Sequence, residues 1–301
     1  MDNRQPDISV ITVNYNGFHD TCEFIESWVA TVMSVSYEII VIDNGSTVNE
    51  AILLQRKYPL VHTIRSEQNL GFAGGNNLGI NIAKGKYLFL LNNDIFIVKD
   101  TIHLLIDRLM VSNKIAGVSP LIRDYIEPHA IQFAGYSKLS PITLRNRAIG
   151  RGQINKDRYP ARQTPYLHGA AMLLKKEIIN QIGPMPENYF LYYEELDWCT
   201  HIDRKGYELW YDPACEVWHK DSSSTGKESP LKHYYLSRNR LLYAYRNIFD
   251  WKLYLSIFYQ TAIVCPKNIL TALGRGNKAT AKAHWEGTKA FFKLKNKDRQ
   301  L

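Results

Sequence analysis

Apolar residues fall into short dense runs separated by stretches where they recur every third or fourth position. Ile8–Asn14 (ISVITVN) is rich in β-branched residues and leads into the turn pair Asn16-Gly17, after which Cys22, Ile25, Trp28 and Val32 keep helical spacing. This predicts a strand, a loop and a helix. The run 37–43 (YEIIVID) is too dense for a half-exposed strand and ends on Asp43-Asn44-Gly45-Ser46, with a short helix predicted over 50–58 and a third strand over 60–65. A Gly/Asn-rich segment over 69–79 (NLGFAGGNNLG) opens a helix ending near Lys84-Gly85. A fourth buried strand over 86–91 stops at Asn92-Asn93-Asp94, a helix follows over 101–112, and a fifth strand over 115–119. Strands alternating with helices at this pitch predict an α/β fold, a mostly parallel Rossmann-like sheet with helices on both faces. Its loops collect at the carboxyl ends of the strands, where such sheets bind ligands.

The regularity stops after Pro120. Residues 123–165 are polar and Arg-rich, too long for an ordinary connection, and read as a substrate-side insertion or mobile loop. Order returns over 166–174, with a helix over 176–182, an acidic segment over 194–197 and strands near 207–211 and 215–219. From Lys232 on, the chain reads as helical and aromatic. The expected division is 1–231 as the catalytic domain, with 120–165 as an acceptor-side insertion, and 232–301 as a helical, aromatic and basic region.

The 301 residues, 45% hydrophobic and 22% charged, suffice for a large core and exclude disorder. Of the formal net charge of +8, nine Lys or Arg against Glu286 and Asp298 lie from Pro266 onward, so the basic excess is a tail. That placement argues against nucleic-acid binding, which needs charge interleaved with stacking aromatics. Four scattered cysteines, without a CxxC pair, point to a reducing compartment and to neither a disulfide framework nor a zinc cluster. No export signal is recognisable at the N-terminus. The apolar stretch 253–266 is shorter than the ~20 residues that cross hydrocarbon. In series with the basic tail it supplies the two signals of peripheral anchoring on anionic lipid, unless it packs back on the catalytic domain.

Four groups of residues carry candidate chemistry. Across the strand ends, the carboxylates of Asp43 and Asp94 and the amides of Gly71, Gly74 and Gly75 can converge on one nucleotide; any one such loop alone would mark only a turn. Asn92-Asn93-Asp94 offers hard oxygen ligands suited to Mg2+ or Mn2+, although an aspartate there can also cap a helix. Glu194, Glu195 and Asp197 crowd like charges, which raises a pKa toward that of a general base; the same residues would also suit an acidic first helical turn. His219 ends an apolar strand before the flexible stretch 220–226, as a ligand or as a packed edge residue.

These residues resemble the family 2 glycosyltransferases with the A-type nucleotide-sugar fold, in their rhamnosyltransferase-like bacterial branch. The matching pieces are VITVNYN at 10–16, VIDNGST at 41–47, NLGFAGGNN at 69–77, LLNND at 90–94, HGAAMLLKKE at 168–177, YYEELDWCTHIDRKGY at 192–207 and VWH at 217–219. The resemblance implies that Val13, Tyr15 and Asp43 contact base and ribose, that Asn69, Gly71 and Asn76 border the nucleotide, and that Asn92, Asn93 and Asp94 form the DxD-like motif with Asp94 on the metal. It implies an inverting displacement with Glu195 as base, in place of the usual Asp, and Glu194 or Asp197 as substitutes. His219, with the metal, and Arg238 would offset charge on the departing diphosphate. A dTDP- or UDP-sugar donor, rhamnose being the branch's commonest sugar, and a glycan or lipid-linked glycan acceptor are the implied partners. A cytoplasmic site at the inner membrane face and a homo-oligomer belong to the same expectation. The rivals are an inactive nucleotide-sugar-binding module, which has no use for the acidic cluster, and a nucleotidyltransferase, which lacks its basic glycine-rich signature beside the first strand.

Overall fold

The computed structural model describes residues 5–127, 130–220 and 229–294. In its first half β1 (Ile8–Asn14), β2 (Tyr37–Asn44), β3 (His62–Ser66) and β4 (Tyr87–Leu91) run parallel in the order β3-β2-β1-β4. Helices α1 (Phe18–Thr31), α2 (Glu50–Lys57) and α3 (Gly71–Ile82) make the crossovers. Both faces of these strands are covered, which is why their sequences run without polar alternation. Ile8, Val10 and Phe89 pack with Phe24 and Trp28 of α1 on one face. Ile11, Leu88 and Leu90 pack with Ala73 and Ile80 of α3 on the other.

The second half comprises β5 (Ile95–Ile97), α4 (Ile102–Met110), β6 (Ile115–Asp124), β7 (Ile131–Phe133), β8 (Arg162–Gln163), β9 (Ala171–Lys175), α5 (Lys176–Ile182), α6 (Glu194–Arg204) and β10 (Glu208–His219). The sheet order is β3-β2-β1-β4-β9-β6-β10-β5, with β7 on β6 and β8 on β10. The sheet is therefore parallel only in part: β9 enters antiparallel between β4 and β6, so the fourth and fifth expected strands are not neighbours. The two strands expected near 207–211 and 215–219 are one, β10, broken by a bulge between Asp212 and Glu216. There it meets Pro120 of β6, which has no N–H to donate. The segment after Asp124 is built rather than loose: Ala134 N donates to Ile149 O (3.0 Å), Ile149 N to Gly135 O (2.8 Å) and Ile131 N to Gln153 O (2.7 Å).

The C-terminal helices are α7 (Pro230–Asn247), α8 (Asp250–Phe258), α9 (Cys265–Gly274) and α10 (Lys278–Lys293), with a π-helical turn at Tyr259–Val264. Leu241, Leu242 and Ala244 of α7 enter the core of the sheet domain. Glycine at 287 lets α10 lie against α7, where a Cβ would stand 2.2 Å from Tyr234 O. Among the described residues, no helix is long and apolar enough to cross a membrane. All four cysteines are buried and unbridged.

Candidate active site

Antiparallel pairing of β10 with β5 sets His219 opposite Ile95, and Lys220 N donates to Asp94 O (3.1 Å) to close the ladder. Asp94 and His219 are both buried, and Asp94 Oδ1 faces His219 Nε2 at 3.1 Å. On its other side His219 Nδ1 lies 2.9 Å from Gln132 Oε1, an acceptor; in the tautomer that donates from Nδ1 to this oxygen, Nε2 is the ligating atom. Two ligands at ~2.1 Å on adjacent vertices of an octahedron stand about 3 Å apart, so this spacing and this oxygen–imidazole pair fit a hard divalent cation. Asn92 Nδ2 approaches Nε2 at 3.4 Å.

A cleft of about 660 Å3 opens beside this pair and receives Asn92 and His219 from the strand ends and Glu194 and Glu195 from the first turn of α6. Glu194 is 2% exposed, and among the described residues its Oε2 has no hydrogen-bond partner. Burial, and then the neighbouring Glu195 charge, push its pKa well above the ordinary carboxyl range. Burial also raises Glu195, with backbone N–H groups at Glu195 and Leu196 opposing the rise. The pair therefore shares a strong tendency to retain a proton, and the less enclosed Glu195 is better placed to exchange one with a ligand. Gly169 borders it: a Cβ there would stand in ordinary van der Waals contact, 3.8 Å from Glu195 Cγ and from Phe72 Cζ.

The loop leading into α6 is strained. Phe190, Tyr192 and Tyr193 have φ of 65°, 69° and 80°, a left-handed conformation costing about 1–3 kcal/mol each. Buried Asn239 of α7 holds it, with Nδ2 at 2.9, 2.7 and 2.9 Å from the carbonyls of Tyr189, Leu191 and Tyr192.

Several expected contacts are placed elsewhere. Asp43 is fully buried and accepts from Ser46 N (3.0 Å) at Oδ1 and from Glu50 N (3.1 Å), Ala51 N (3.2 Å) and Arg65 Nη1 (2.8 Å) at Oδ2, so it anchors the start of α2. Asn69 Oδ1 accepts from Gly71 N (2.8 Å), Phe72 N donates to Phe190 O (2.8 Å), and buried Asn76 donates to Phe72 O (2.9 Å), so the first two amides of α3 are taken up within the fold. Its glycines serve close packing: a Cβ on Gly75 would stand 2.8 Å from Val13 Cγ1, and one on Gly79 2.4 Å from Ile11 Cγ2. Val13 lies half-buried beneath that contact and Tyr15 is exposed at the end of β1. Asn93 turns to Thr21 Oγ1 (3.0 Å).

Asp197, the proposed substitute base, is buried between Arg246 Nε and Asn247 Nδ2, both at 2.6 Å, and faces α7 instead of the cleft. Arg238 donates to the carbonyls of Asn188 (2.9 Å) and Tyr189 (2.5 Å) and stacks on Tyr235, so it supports the loop and is not offered to a diphosphate. Of the stretch expected to be flexible, 220–226, residues 221–226 lie outside the described residues. The cations that do line the cleft are Arg151 and Lys232. These two, Gln132 and Asn239 were missed. A polar cluster at 237–240 inside an otherwise aromatic helix was a signal for Asn239; nothing local marks Gln132. His168 also lines the cleft, stacked on Tyr136 with 8° between ring planes, and burial followed by the His219 charge lowers its pKa to about 3.

The sheet order, with one antiparallel strand between parallel halves and acidic chemistry at its carboxyl edge, is that of the A-type glycosyltransferases. The structure of GalNAc-T7 with UDP, GalNAc and Mn2+ matches with a TM-score of 0.63 at 15% identity, covering 97% of this chain and 57% of that one. The mannosyltransferase PcManGT from Pyrobaculum calidifontis, in complex with GDP-Man and Mn2+, matches with a TM-score of 0.57 at 14% identity, over 96% of this chain and 88% of its own. The chain belongs to glycosyl transferase family 2, whose sequence profile matches residues 9–183. A relative from Haloferax volcanii, the low-salt glycan biosynthesis hexosyltransferase Agl10, is 25% identical over 248 residues, 78% of this chain and 75% of that protein. The N-acetylglucosaminyl-diphospho-decaprenol L-rhamnosyltransferase of Mycobacterium tuberculosis is 25% identical over 249 residues, 75% of this chain and 80% of its own.

Proposed function

We propose that the protein is an inverting glycosyltransferase that moves a sugar from a nucleoside-diphosphate donor to a hydroxyl of a lipid-linked bacterial surface glycan. The observation carrying this reading is that His219, whose Nε2 faces Asp94 Oδ1 at 3.1 Å, lines the same cleft as Glu194 and Glu195. Glu195 takes the acceptor hydroxyl proton as that oxygen bonds to the anomeric carbon, and the bond from that carbon to the diphosphate oxygen breaks with its electrons leaving on the nucleoside diphosphate. Asp94 and His219 would hold Mg2+ or Mn2+, which offsets the charge on the leaving diphosphate. Arg151 and Lys232 take the part first expected of Arg238. A nucleotide-sugar-binding module would gain nothing from two buried carboxyls with raised pKa values. The rhamnosyltransferase and hexosyltransferase relatives favour rhamnose or another hexose as the sugar transferred.

The C-terminal helices complete the reading as the membrane-facing part, residues 232–301. Trp251, Tyr254 and Phe258 expose one stripe of α8 (63%, 76% and 61%), and Leu270, Trp285 and Phe292 are exposed on α9 and α10. Aromatic and apolar side chains flanked by Lys252, Lys267, Lys282 and Lys289 suit an anionic lipid surface. The test of function is a donor screen: wild-type protein is incubated with dTDP- and UDP-sugars with Mn2+, Mg2+ or EDTA, and nucleoside diphosphate release is followed. Metal-dependent release from one donor is expected. No release from any donor, with any metal, in the presence of a polyprenyl-diphosphate glycan acceptor would sink the reading.

A further inference from the structure

A second pocket, of about 560 Å3, lies outside the cleft between the insertion and the helices α7, α9 and α10. Arg145, Arg240 and Arg275 converge on it, no carboxylate lines it, and none of the three is ion-paired among the described residues. Three guanidiniums sharing a cavity repel one another unless an anion joins them.

The floor of the pocket is polar and buried. Thr280 is 5% exposed, lines the pocket, and has no hydrogen-bond partner for its Oγ1 among the described residues. It stands in the first turn of α10, whose N-cap Asn277 accepts from Thr280 N (3.0 Å), so the positive end of that helix opens on the same space. His284, also buried, is held by Ser237 Oγ at 2.9 Å.

One wall separates this pocket from the cleft. Tyr193, next to Glu194, donates its hydroxyl proton to Leu144 O (3.1 Å) and accepts from Arg240 Nε (2.9 Å). Neighbours in sequence face opposite ways across it: Asn146 and Lys232 line the cleft, Arg145 and His233 the pocket.

We propose that this pocket is a phosphate site separate from the nucleotide cleft, binding the phosphate or diphosphate of a phosphorylated acceptor while its sugar enters the cleft. The planar forks of arginine match phosphate oxygens two at a time, and an unpartnered hydroxyl at a helix N-terminus supplies one more donor. The acceptor half of this statement rests on the proposed function; the anion site does not.

The test is calorimetric titration of the full chain with inorganic diphosphate in EDTA, so that no metal recruits it to the cleft. Wild type is expected to bind with a salt-dependent affinity that falls about tenfold or more in Arg145→Gln/Arg275→Gln. Lys232→Gln, a cleft change, should leave it within about twofold. If the double variant melts well below wild type, exposed Arg275→Gln alone carries the comparison. Absence of binding, or loss in Lys232→Gln but not in the pocket variants, overturns the site; nucleotide-sugar hydrolysis persisting in that case leaves the proposed function intact. Phosphatidylcholine vesicles carrying polyprenyl phosphate should compete with diphosphate where equally charged phosphatidylglycerol vesicles do not. Competition from neither keeps the anion site and overturns its assignment to a lipid acceptor.

Discussion

Asp94 Oδ1 and His219 Nε2 stand 3.1 Å apart because β10 returns antiparallel to β5 and places His219 opposite Ile95, the residue after Asp94. The site thus depends on strand pairing at the sheet edge and on Gln132, whose Oε1 meets His219 Nδ1 at 2.9 Å and favours the tautomer with Nε2 free for a metal. Asp94→Asn should keep the fold and reduce metal-dependent donor turnover by several kcal/mol of transition-state stabilisation, on the order of 10²-fold or more. Gln132→Leu should weaken metal affinity by about 10- to 100-fold with a smaller effect on saturated turnover. Metal titrations of both variants check this, and unchanged metal dependence in Asp94→Asn would place the ion elsewhere.

How far these features were legible varied with the range of the interaction that makes them. The parallel half was readable because Ile8–Asn14 and Tyr87–Leu91 are buried on both faces and carry that in their own composition. The direction of β9 was not, since a short apolar run such as Ala171–Leu174 reads the same either way. Likewise, a polar residue announces that it needs partners without saying which: Asp43 met Arg65 and three backbone amides, and Asp197 met Arg246. The glycines at 71, 75 and 79 did carry a readable signal, since their four-residue step marks one helix face. Along it Gly75 and Gly79 pack on Val13 and Ile11 of β1, and Gly71 packs on the backbone of Phe190.

Glu194 carries a pH signature. A carboxyl whose folded-state pKa is raised stays protonated where the unfolded chain has ionised, so stability falls as pH climbs from the ordinary carboxyl value of ~4.3 toward the raised one. Glu194→Gln removes that loss. Its melting temperature should match wild type near pH 4 and exceed it by a few degrees at pH 8, and a gain of equal size at both would show that burial does not shift this group. Because Glu195 is raised too, the acid limb of the rate profile should lie above the normal carboxylate range.

Asn239 does not itself line the cleft and acts by holding the strained loop before α6, whose Leu191 and Tyr192 do. Asn239→Ala removes the amide donor from the Leu191 and Tyr192 carbonyls, at about 1–3 kcal/mol each for those kept from water, while Tyr189 O keeps Arg238. It should lower stability and turnover together while donor affinity changes less. Normal turnover at a temperature well below melting would show that the left-handed residues hold their conformation unaided.

Full-length protein should co-sediment with anionic vesicles at low salt, with binding weakened as salt rises and reduced in Trp251→Ser/Phe258→Ser, which removes exposed side chains without touching the core. Equal binding to neutral and anionic vesicles, or none to either, would identify the α8 stripe as a protein contact.

The central claim is that the enclosed carboxylate pair performs chemistry on an acceptor proton and does not merely shape a binding site. Glu195→Gln tests it most directly, measured as donor affinity by calorimetry and as transfer rate under saturating donor. Affinity within about twofold of wild type with turnover reduced ~10²-fold or more, and a smaller loss in Glu194→Gln, is the expected result. Wild-type transfer by Glu195→Gln, or a larger loss in Glu194→Gln, would contradict the assignment of Glu195 as the base.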